Sequence, residues 1–395
     1  MANGILVING GSTSVKFAGY QHDGSEALSV VCRGQVEGIG SHPSFVAKGP
    51  DGKPIDAHEW EVEHPLSQDG ALKFIFGWLK AHVTDVQFIV AGHRVVLGGE
   101  TYGQPVLVTD QVLTDLDALC AFEPSHQPYE VAGIRAVRKV SPHMPQVACF
   151  DTSFHRTMPR LAQIYALPRK YAEGNLRHWG FHGISYDYIS RQIPKHAPDA
   201  RRVIVAHLGG GCSMCAMLDG RSIETSMGFS AIEGLAMSTR VGEIDAGILL
   251  HLMKVDGMDA VAVESLLYKQ AGLLGISGIS GDMRELEESE APEAAEAVDY
   301  FVYQIVKFVG AYMAVLGGLD ALVFTAGIGE NAPLVRAKVC EKLGWLGVTL
   351  DAAANDNNGR RITTADSRVS VWVVPTNEEL MIARHTLALA PPMSA

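Results

Sequence analysis

Near the amino terminus, residues 6–17 read LVINGGSTSVKF. The apolar run Leu6–Ile8 predicts a buried strand, the polar and small residues from Asn9 to Ser14 predict a turn, and Val15–Phe17 predict a second strand. Residues 204–215 read IVAHLGGGCSMC and repeat this arrangement about 200 residues later. Glycines allow a turn whose backbone N–H groups face a ligand. The two hairpins therefore predict a duplicated domain with a phosphate-binding turn in each half.

A third glycine-rich stretch, residues 321–331, reads ALVFTAGIGEN. It predicts a strand that runs into a glycine turn, followed by a helix with Pro333 in its first turn and Asn331 or a neighbour as its cap. Such a helix start is suited to bind an anion or a nucleotide. The apolar residues between Glu293 and Gly318 predict a long helix that is buried on all sides, in the core and at a subunit interface. Strand and helix signals alternate throughout, which predicts the α/β class.

Composition limits the possible functions. A chain of 395 residues predicts two or three domains, and its net charge of −12 argues against nucleic acid as a partner. No signal-peptide pattern and no apolar run long enough for a bilayer occurs, and six scattered cysteines are typical of a reducing cytoplasm. Cys212 and Cys215 have the spacing of a redox or zinc pair. On a strand, however, this odd spacing sends the two thiols to opposite faces, and no second pair accompanies them.

Ten segments of the chain stand out when they are taken in order: Val7–Ser12, Gly92–Val96, Phe150–His155, Gly180–Gly183, His207–Gly209, Thr239–Arg240, Gly275–Ser277, Asp282–Arg284, Gly327–Asn331 and Thr376–Glu379. Together they resemble the motifs of the acetate kinase family, which belongs to the superfamily of sugar kinases, actin and heat-shock chaperone ATPases.

The resemblance implies an α/β protein of two duplicated actin-like (ribonuclease H-like) domains with an active-site cleft between them. It places the first domain at residues 1–150 with the tail from about 382 to 395, and the second domain, with the nucleotide site and a dimer interface, at 151–381. It further implies a cytoplasmic homodimer that reversibly phosphorylates acetate to acetyl phosphate, with ATP/ADP as co-substrate and Mg²⁺ or Mn²⁺ as the metal. The expected partners are a small carboxylate and a nucleotide, without nucleic acid or membrane.

The resemblance also assigns catalytic roles. Arg94 would bind the substrate carboxylate or the transferring group, while Arg240 and His182, at a predicted strand end, would stabilise the transferring phosphoryl group. The planar fork of arginine suits carboxylate and phosphate oxygens. Asp151 follows the predicted strand Val147–Phe150 and is expected to be catalytic. The acceptor substrate is a carboxylic acid with a pKa of about 4, so it is already ionised at neutral pH and has no proton for a base to remove. We therefore expect Asp151 to orient an arginine or a metal-bound water rather than to act as a base.

Metal and nucleotide residues follow from the same resemblance. Asn9 and Glu378 would bind the metal. Phosphates would be held by Lys16 and by the turn His207, Leu208, Gly209, Gly210 and Gly211. The nucleoside would be framed by Asp282, Met283 and Arg284 with Gly327, Ile328, Gly329, Glu330 and Asn331. No P-loop motif occurs in the chain.

The chain departs from the family pattern at several positions. Leu97 stands where His is usual, Gly210 where the turn usually has Asn, Tyr186 where a second His is usual, and Glu243 where Asp is common. The expected acyl pocket consists of Val96, Ser125, Phe181 and Ala231. The family more often has Leu at the position of Ser125 and Pro at the position of Ala231. Because both residues are smaller here, we expect better use of propionate, with butyrate as a further candidate.

Two other functions stay open at this point. A kinase of a hydroxyl substrate such as a sugar would use Asp151 as a true general base, since a hydroxyl must lose its proton. A non-catalytic nucleotide-binding module is the second alternative. The presence of Arg94, Asp151, His182 and Arg240 together favours the carboxylate kinase. The sequence leaves open the preferred acid, the physiological direction and the effect of Leu97, Gly210 and Tyr186 on activity.

Overall fold

The computed structural model describes residues 2–11, 13–23, 27–61 and 66–390. The chain divides into two compact units, Met1–Ser153 with Asn377–Ala395 (unit 1) and Phe154–Thr376 (unit 2). The resemblance places the limits between the two domains at 150/151 and at about 381/382. A division into compact units does not by itself test these domain limits. They stay a prediction.

Unit 1 is built around one sheet. Its strands are β1 (Ala2–Gly10), β2 (Val15–His22), β3 (Leu28–Glu37), β4 (Ser44–Lys48), β5 (Pro54–Glu59), β6 (Val86–Val95), β7 (Val106–Leu107) and β8 (Gln146–Phe150). Its helices are α1 (Gln68–His82), α2 (Asp110–Leu119), α3 (Gln127–Val140) and, from the far end of the chain, α15 (Glu378–Leu389). The strand order is β5-β4-β3-β2-β1-β6-β8-β7, with β1 antiparallel to β2 and parallel to β6, and β6 parallel to β8.

Close packing fixes α15 on this sheet. A Cβ atom added at Gly92 on β6 would lie 2.1 Å from the Thr386 hydroxyl oxygen, so α15 can approach the strand only because residue 92 has no side chain. Met381, Ile382 and Ala383 of α15 are fully buried. The carboxyl-terminal helix is therefore part of the core of unit 1.

Unit 2 contains a second sheet. Its strands are β9 (Arg202–Leu208), β10 (Cys212–Leu218), β11 (Arg221–Thr225), β12 (Ala321–Thr325) and β13 (Ser370–Val373). Its α-helices are α4 (Arg160–Gln163), α5 (Arg169–Ala172), α6 (Gly183–His196), α7 (Ala246–Lys254), α8 (Ala260–Ser265), α9 (Gly272–Ser277), α10 (Met283–Glu288), α11 (Pro292–Leu316), α12 (Ala326–Asn331), α13 (Pro333–Lys342) and α14 (Ala352–Asp356). Phe154–Thr157 and Gly344–Leu346 form 3₁₀ turns, and Leu266–Gln270 a π-helical turn.

The two sheets share one topology. In unit 2 the order is β11-β10-β9-β12-β13, with the first three strands antiparallel and β9, β12 and β13 parallel. In unit 1 the strands β3-β2-β1-β6-β8 have the same order and the same directions. Each predicted hairpin, β1–β2 and β9–β10, forms the centre of its sheet. The α/β class and the duplication are thereby confirmed.

Some local predictions need correction. The long helix exists as α11; in the single chain one face is buried, while Tyr303 is 64% exposed and Val315 54% exposed, and the place of this helix at a subunit interface stays a prediction. Its other face carries charged residues such as Glu296 and Asp299, which make an exposed surface favourable. The expected glycine turn at 326–331 is the short helix α12, while Pro333 does begin the next helix, with Ala332 as its cap.

Cys212 and Cys215 lie on β10 as predicted, and both are buried free thiols. Over the described ranges, no group of three or more His, Cys, Asp or Glu side chains is suited to hold a metal. In the same part of the chain, no helix is both long and apolar enough to cross a bilayer.

Candidate active site

An arginine–aspartate pair lies at the carboxyl edge of the sheet in unit 1. Val95 on β6 is paired with Phe150 on β8, so Arg94 and Asp151 come together at the ends of neighbouring parallel strands. Arg94 donates to Asp151 Oδ2 from Nε at 3.0 Å and from Nη2 at 2.6 Å. The Asp151 side chain is 1% exposed, and its other oxygen, Oδ1, is buried without a partner among the described residues. One carboxylate oxygen therefore orients the arginine, while the second lies buried without a partner in the described part of the chain.

Two further carboxyl groups act on this pair. Burial opposes the charge of Arg94, but the nearby Asp151, Glu378 and Glu130 raise its pKa above the usual range. Burial raises the pKa of Glu130 to about 8, against the lowering effect of Arg94. Burial also raises the pKa of Glu378 to about 7, with Arg94 lowering it and Asp151 raising it. The excess of acidic groups makes this part of unit 1 favourable for an additional cation.

The residues predicted to bind the metal fit a hard cation. Asn9 lies at the end of β1, opposite Lys16 on β2, and Glu378 is the first residue of α15. Amide and carboxylate oxygens, with one or two carboxylates supplied by the protein, are typical of magnesium sites. The buried, unpartnered Oδ1 of Asp151 and the raised pKa of Glu378 agree with such a site.

Helix α3 holds the backbone that follows Arg94. The Val96 N–H donates to Glu130 Oε2 at 2.8 Å. Gln127 pairs with the backbone of Leu97 in both directions, accepting from its N–H at 3.1 Å and donating to its carbonyl at 3.0 Å. Gln127 and Glu130 are three residues apart and share a helix face. Sequence reasoning does not identify either residue, because a Gln and a Glu on a helix usually face solvent.

The predicted acyl-pocket residues Val96 and Ser125 lie in unit 1, whereas Phe181 and Ala231 lie in unit 2. Ser125 donates to the carboxylate of Glu123, and its oxygen lies 2.7 Å from Nδ1 of His126. Glu123 is fully buried and also contacts His126 Nδ1 at 3.2 Å. Ser125 is therefore smaller than the usual Leu, but it also belongs to a hydrogen-bonded polar cluster with Glu123 and His126.

In unit 2, the backbone fixes the direction of His182. His182 has φ 57°, in the left-handed region, and precedes α6; it does not end a strand as predicted. Its Nδ1 lies 2.8 Å from the Ser213 hydroxyl, which lies 2.5 Å from the hydroxyl of Tyr186. The ring stacks on His207, with centroids 4.2 Å apart and 20° between the planes. Tyr186, which stands where the family pattern has His, thus contacts Ser213, the residue that orients His182.

Arg240 and His182 converge on the glycine turn between β9 and β10. Arg240 donates from Nη1 to the carbonyl of Ala231 at 2.8 Å. A Cβ atom at Gly211 would lie 3.4 Å from His182 Nε2 and 3.9 Å from Arg240 Nη1. The turn at Gly211 therefore lies next to both predicted stabilising side chains. The structure brings these three predicted residues together.

A cavity of about 620 Å³ in unit 2 collects most of the predicted nucleoside residues. Its predicted lining residues are Gly209, Gly210, Asp282, Met283, Arg284, Gly327, Ile328 and Asn331. Four residues join them that sequence reasoning does not identify: Ser238, Gly281, Glu287 and Ala332. Of these, Gly281 directly precedes the predicted residue Asp282 in the sequence, and a Cβ atom at Gly281 would lie 2.6 Å from the Ser238 carbonyl oxygen.

The other predicted nucleotide residues lie outside this lining. Glu330 accepts from the backbone N–H groups of Ala326 and Thr376, at 2.8 and 3.1 Å, and the Gly329 carbonyl accepts from Arg336. These residues fix the turn around the cavity. His207 stacks on His182, Leu208 is fully buried on β9, and Gly211 faces His182 and Arg240. In unit 1, Lys16 lines a different cavity of about 550 Å³, together with Arg33 and Lys48.

Comparison with known proteins gives concordant results. The sequence profile of the acetokinase family matches residues 4–384. The chain is 46% identical over 396 residues to an acetate kinase of Rhodopseudomonas palustris, with 99% of each chain covered.

Two solved structures superpose on nearly the whole chain. A propionate kinase from Francisella tularensis does so with a TM-score of 0.90 at 38% identity, covering 98% of this chain and all of its own. The acetate kinase of Porphyromonas gingivalis has a TM-score of 0.86 at 35% identity, with the same coverage. The fold is therefore the duplicated actin-like fold of these kinases, and the chain belongs to the acetokinase family.

Proposed function

We propose that this chain catalyses the reversible transfer of the γ-phosphoryl group of ATP to acetate, giving ADP and acetyl phosphate. The observation that carries the proposal is the buried Arg94–Asp151 pair, with its doubly bonded Oδ2 and its unpartnered Oδ1. A guanidinium held in one orientation is suited to bind a carboxylate and to lower its repulsion from a phosphoryl group. Family membership and the cavity for a nucleoside support the same reaction.

The chemistry requires no proton transfer. An oxygen of the acetate carboxylate attacks the γ-phosphorus, the bond to the β–γ bridging oxygen breaks, and ADP leaves with that electron pair. Acetate is already ionised at neutral pH. We therefore assign Asp151 the task of orienting Arg94, and Arg94 the task of binding the carboxylate or the transferring group.

In this proposal, residues of unit 2 stabilise the transferring phosphoryl group. Arg240 and His182 would donate to the phosphoryl oxygens as their charge redistributes, because both side chains face the Gly211 turn. Lys16 and residues 207–211 would hold the phosphates. Residues 282–284 and 327–331 would frame the nucleoside.

Asn9 and Glu378 would hold Mg²⁺ or Mn²⁺. The ion, when bound, would neutralise charge on the phosphates and so ease the approach of the anionic acceptor. The residues themselves keep an oxygen-rich, acidic environment at the end of β1 and the start of α15.

Propionate is a second candidate substrate, favoured by the likeness to the propionate kinase structure. The small residues Ser125 and Ala231 support it through space, whereas the hydrogen bond from Ser125 to buried Glu123 makes part of this space polar. We therefore expect a graded preference among short acids rather than exclusion of one of them.

A cytoplasmic homodimer completes the proposal. Helix α7 has no buried residue, and it exposes the apolar side chains of Ile248, Leu250 and Met253, which are 48%, 53% and 45% accessible. Apolar side chains that a helix exposes to solvent favour association with another chain. Analytical ultracentrifugation should give a dimer for the wild type and a monomer for Leu250→Asp.

The buried free thiols support the cytoplasmic part of the proposal, because free thiols are typical of a reducing compartment.

The central test is hydroxamate formation. Purified protein, Mg-ATP and hydroxylamine are incubated with acetate, propionate or butyrate, and trapped acyl phosphate is measured. We expect activity in the wild type and a loss on the order of a hundredfold in Arg94→Ala. Arg135→Ala, which removes an exposed arginine paired with Asp117, is the matched control and should retain activity.

The outcomes separate the alternatives. Hydroxamate that does not depend on Arg94 would refute the assigned role of this residue. ATP-dependent phosphorylation of a sugar without hydroxamate would support a hydroxyl kinase. Nucleotide binding by a folded protein without turnover of any acceptor would support a binding module.

A further inference from the structure

A tyrosine to which no role has been assigned closes a turn in unit 2. Tyr165 lies between α4 and α5, and its hydroxyl donates to Oε2 of Glu233 and accepts from the backbone N–H of Phe229 at 2.9 Å. One hydroxyl group therefore joins the two ends of the segment 229–233. The middle residue of this segment is Ala231, whose carbonyl accepts from Arg240 Nη1 at 2.8 Å. The same turn thus contacts Tyr165 at its ends and Arg240 at its centre.

The packing leaves little freedom around this hydroxyl. A Cβ atom added at Gly228 would lie 1.9 Å from Glu233 Oε2 and 2.2 Å from the Tyr165 hydroxyl oxygen, so the turn can close only because residue 228 has no side chain. The Gly228 carbonyl accepts from the Trp179 N–H at 2.9 Å. The ring of Tyr165 packs against His178, with ring centroids 4.1 Å apart. The ring as well as the two hydrogen bonds therefore fixes the position of the hydroxyl.

Arg240 depends on such contacts because it lies on a long irregular segment. Between the end of β11 at Thr225 and the start of α7 at Ala246, the described chain forms neither helix nor strand. A side chain on a loop keeps one position only when hydrogen bonds and packing support it. The Ala231 carbonyl supplies one such hydrogen bond to the guanidinium. A displacement of residues 229–233 would therefore be passed on to Arg240.

The Tyr165 hydroxyl is suited to this task because it stays protonated. Burial raises the pKa of Tyr165 above its usual range, and the hydrogen bond to Glu233 raises it further. The phenol therefore keeps its proton at neutral pH and donates it to the carboxylate. Hydrogen bonds to ionised groups are stronger than those between neutral groups, which favours a well-fixed turn.

We propose that Tyr165 is a positioning residue for Arg240: its hydroxyl closes the 229–233 turn and so fixes the Ala231 carbonyl that orients the guanidinium. Tyr165 acts only through Arg240 and touches no reacting group. The inference rests on the proposed function only in that Arg240 stabilises the transferring phosphoryl group. A role in folding alone is the alternative, and it predicts lower stability without a change in the kinetics of the folded protein.

The kinetic test compares Tyr165→Phe with Tyr171→Phe in the hydroxamate assay. Tyr165→Phe keeps the ring but removes the oxygen. We expect kcat to fall about tenfold with unchanged KM for ATP and acetate, because a misplaced Arg240 weakens stabilisation of the transition state alone. Glu233→Gln keeps an oxygen that can accept from Tyr165, so it should lose less activity than Glu233→Ala. Tyr171→Phe, which removes a hydroxyl from an exposed ring, is the control and should keep the wild-type kcat.

A double-mutant cycle separates positioning from folding. In an Arg240→Ala background, Tyr165→Phe should lower kcat by about twofold or less, because the side chain that it positions is gone. Equal fold losses with and without Arg240 would overturn the proposal. A lower melting temperature of Tyr165→Phe with unchanged kcat would also overturn it and would assign Tyr165 to folding.

Crystal structures of the wild type and Tyr165→Phe test the geometry without turnover, so they remain decisive if the chain does not phosphorylate acetate. In Tyr165→Phe, the distance from Arg240 Nη1 to the Ala231 carbonyl oxygen should exceed the hydrogen-bond limit of about 3.5 Å. A turn and a guanidinium that superpose on those of the wild type would overturn the inference. A wild type that forms no hydroxamate, together with the expected displacement in Tyr165→Phe, would refute the proposed function but support the link from Tyr165 to Arg240.

Discussion

Replacing Asp151 by Asn keeps the shape of the side chain but removes its charge. Arg94 makes two hydrogen bonds to the same oxygen, and a bond to a charged acceptor contributes about 1 to 1.5 kcal/mol more than a bond to a neutral one. Losing that difference twice amounts to about 2 to 3 kcal/mol, or about 30- to 150-fold in kcat/KM. If Asp151 only orients Arg94, the loss should fall on kcat/KM for acetate and should be similar at every pH from about 6 to 9, where the acceptor is ionised.

The assay is hydroxamate formation at several acetate concentrations and pH values, with the melting temperature measured in parallel. Asp151→Ala should lose more activity, because it leaves a buried guanidinium without its partner, a change of about 3 to 5 kcal/mol. Activity of Asp151→Asn within about threefold of the wild type would refute the orienting role. A wild-type acidic limb that disappears in Asp151→Asn would instead identify Asp151 as a general base.

The remaining predictions concern the surroundings of this pair and of His182. Burial raises the pKa of Glu130 from 4.5 to about 8, so the folded protein keeps a proton on this residue that the unfolded protein releases. The free energy of unfolding should therefore fall as pH rises from about 5 to 8. In denaturation experiments, Glu130→Gln should weaken this fall. Gly211→Leu, whose side chain would extend beyond its Cβ towards His182 and Arg240, should lower kcat on the order of tenfold by displacing them, whereas Gly211→Ala, whose Cβ would lie at ordinary contact distance, 3.4 Å from His182 Nε2, should leave kcat unchanged. Tyr186→Phe removes one bond to Ser213 and should lower kcat by about fivefold, without a change in the KM for ATP. Ser125→Leu combined with Ala231→Pro should reduce the use of propionate relative to acetate, and an equal or higher ratio would contradict the expected pocket.

The sequence predicts the parts of the fold that depend on local patterns. Apolar runs followed by glycine turns are sufficient to predict both hairpins, and Pro333 is sufficient to predict the start of α13. The glycines of the α12 segment predict a turn, because glycine normally disfavours a helix. In the structure, the carboxylate of Glu330 accepts from the Ala326 N–H in this segment.

Long-range contacts are harder to predict. Arg94 and Asp151 are 57 positions apart, with α2 and α3 between them, and only the parallel pairing of β6 with β8 brings the two side chains into contact. The buried Glu130 and Glu123 resemble ordinary helix and loop carboxylates in the sequence. Their importance depends on burial, which a single sequence does not reveal for an acidic residue. The resemblance to a family predicts the candidate residues, but it gives neither their hydrogen bonds nor their charge states.

The contribution of α15 to the sheet of unit 1 has a consequence for protein synthesis. Unit 1 begins at the first residue but is completed only by residues 377–395, after the 223 residues of unit 2. At about 5 to 20 residues per second, a ribosome needs roughly 11 to 45 s to make that intervening segment. During this time the strands that receive Met381 and Ile382 are translated but not covered. The nascent chain should therefore depend on chaperones that protect exposed apolar strands, and a chain truncated before α15 is complete should be recognised and degraded as incompletely folded.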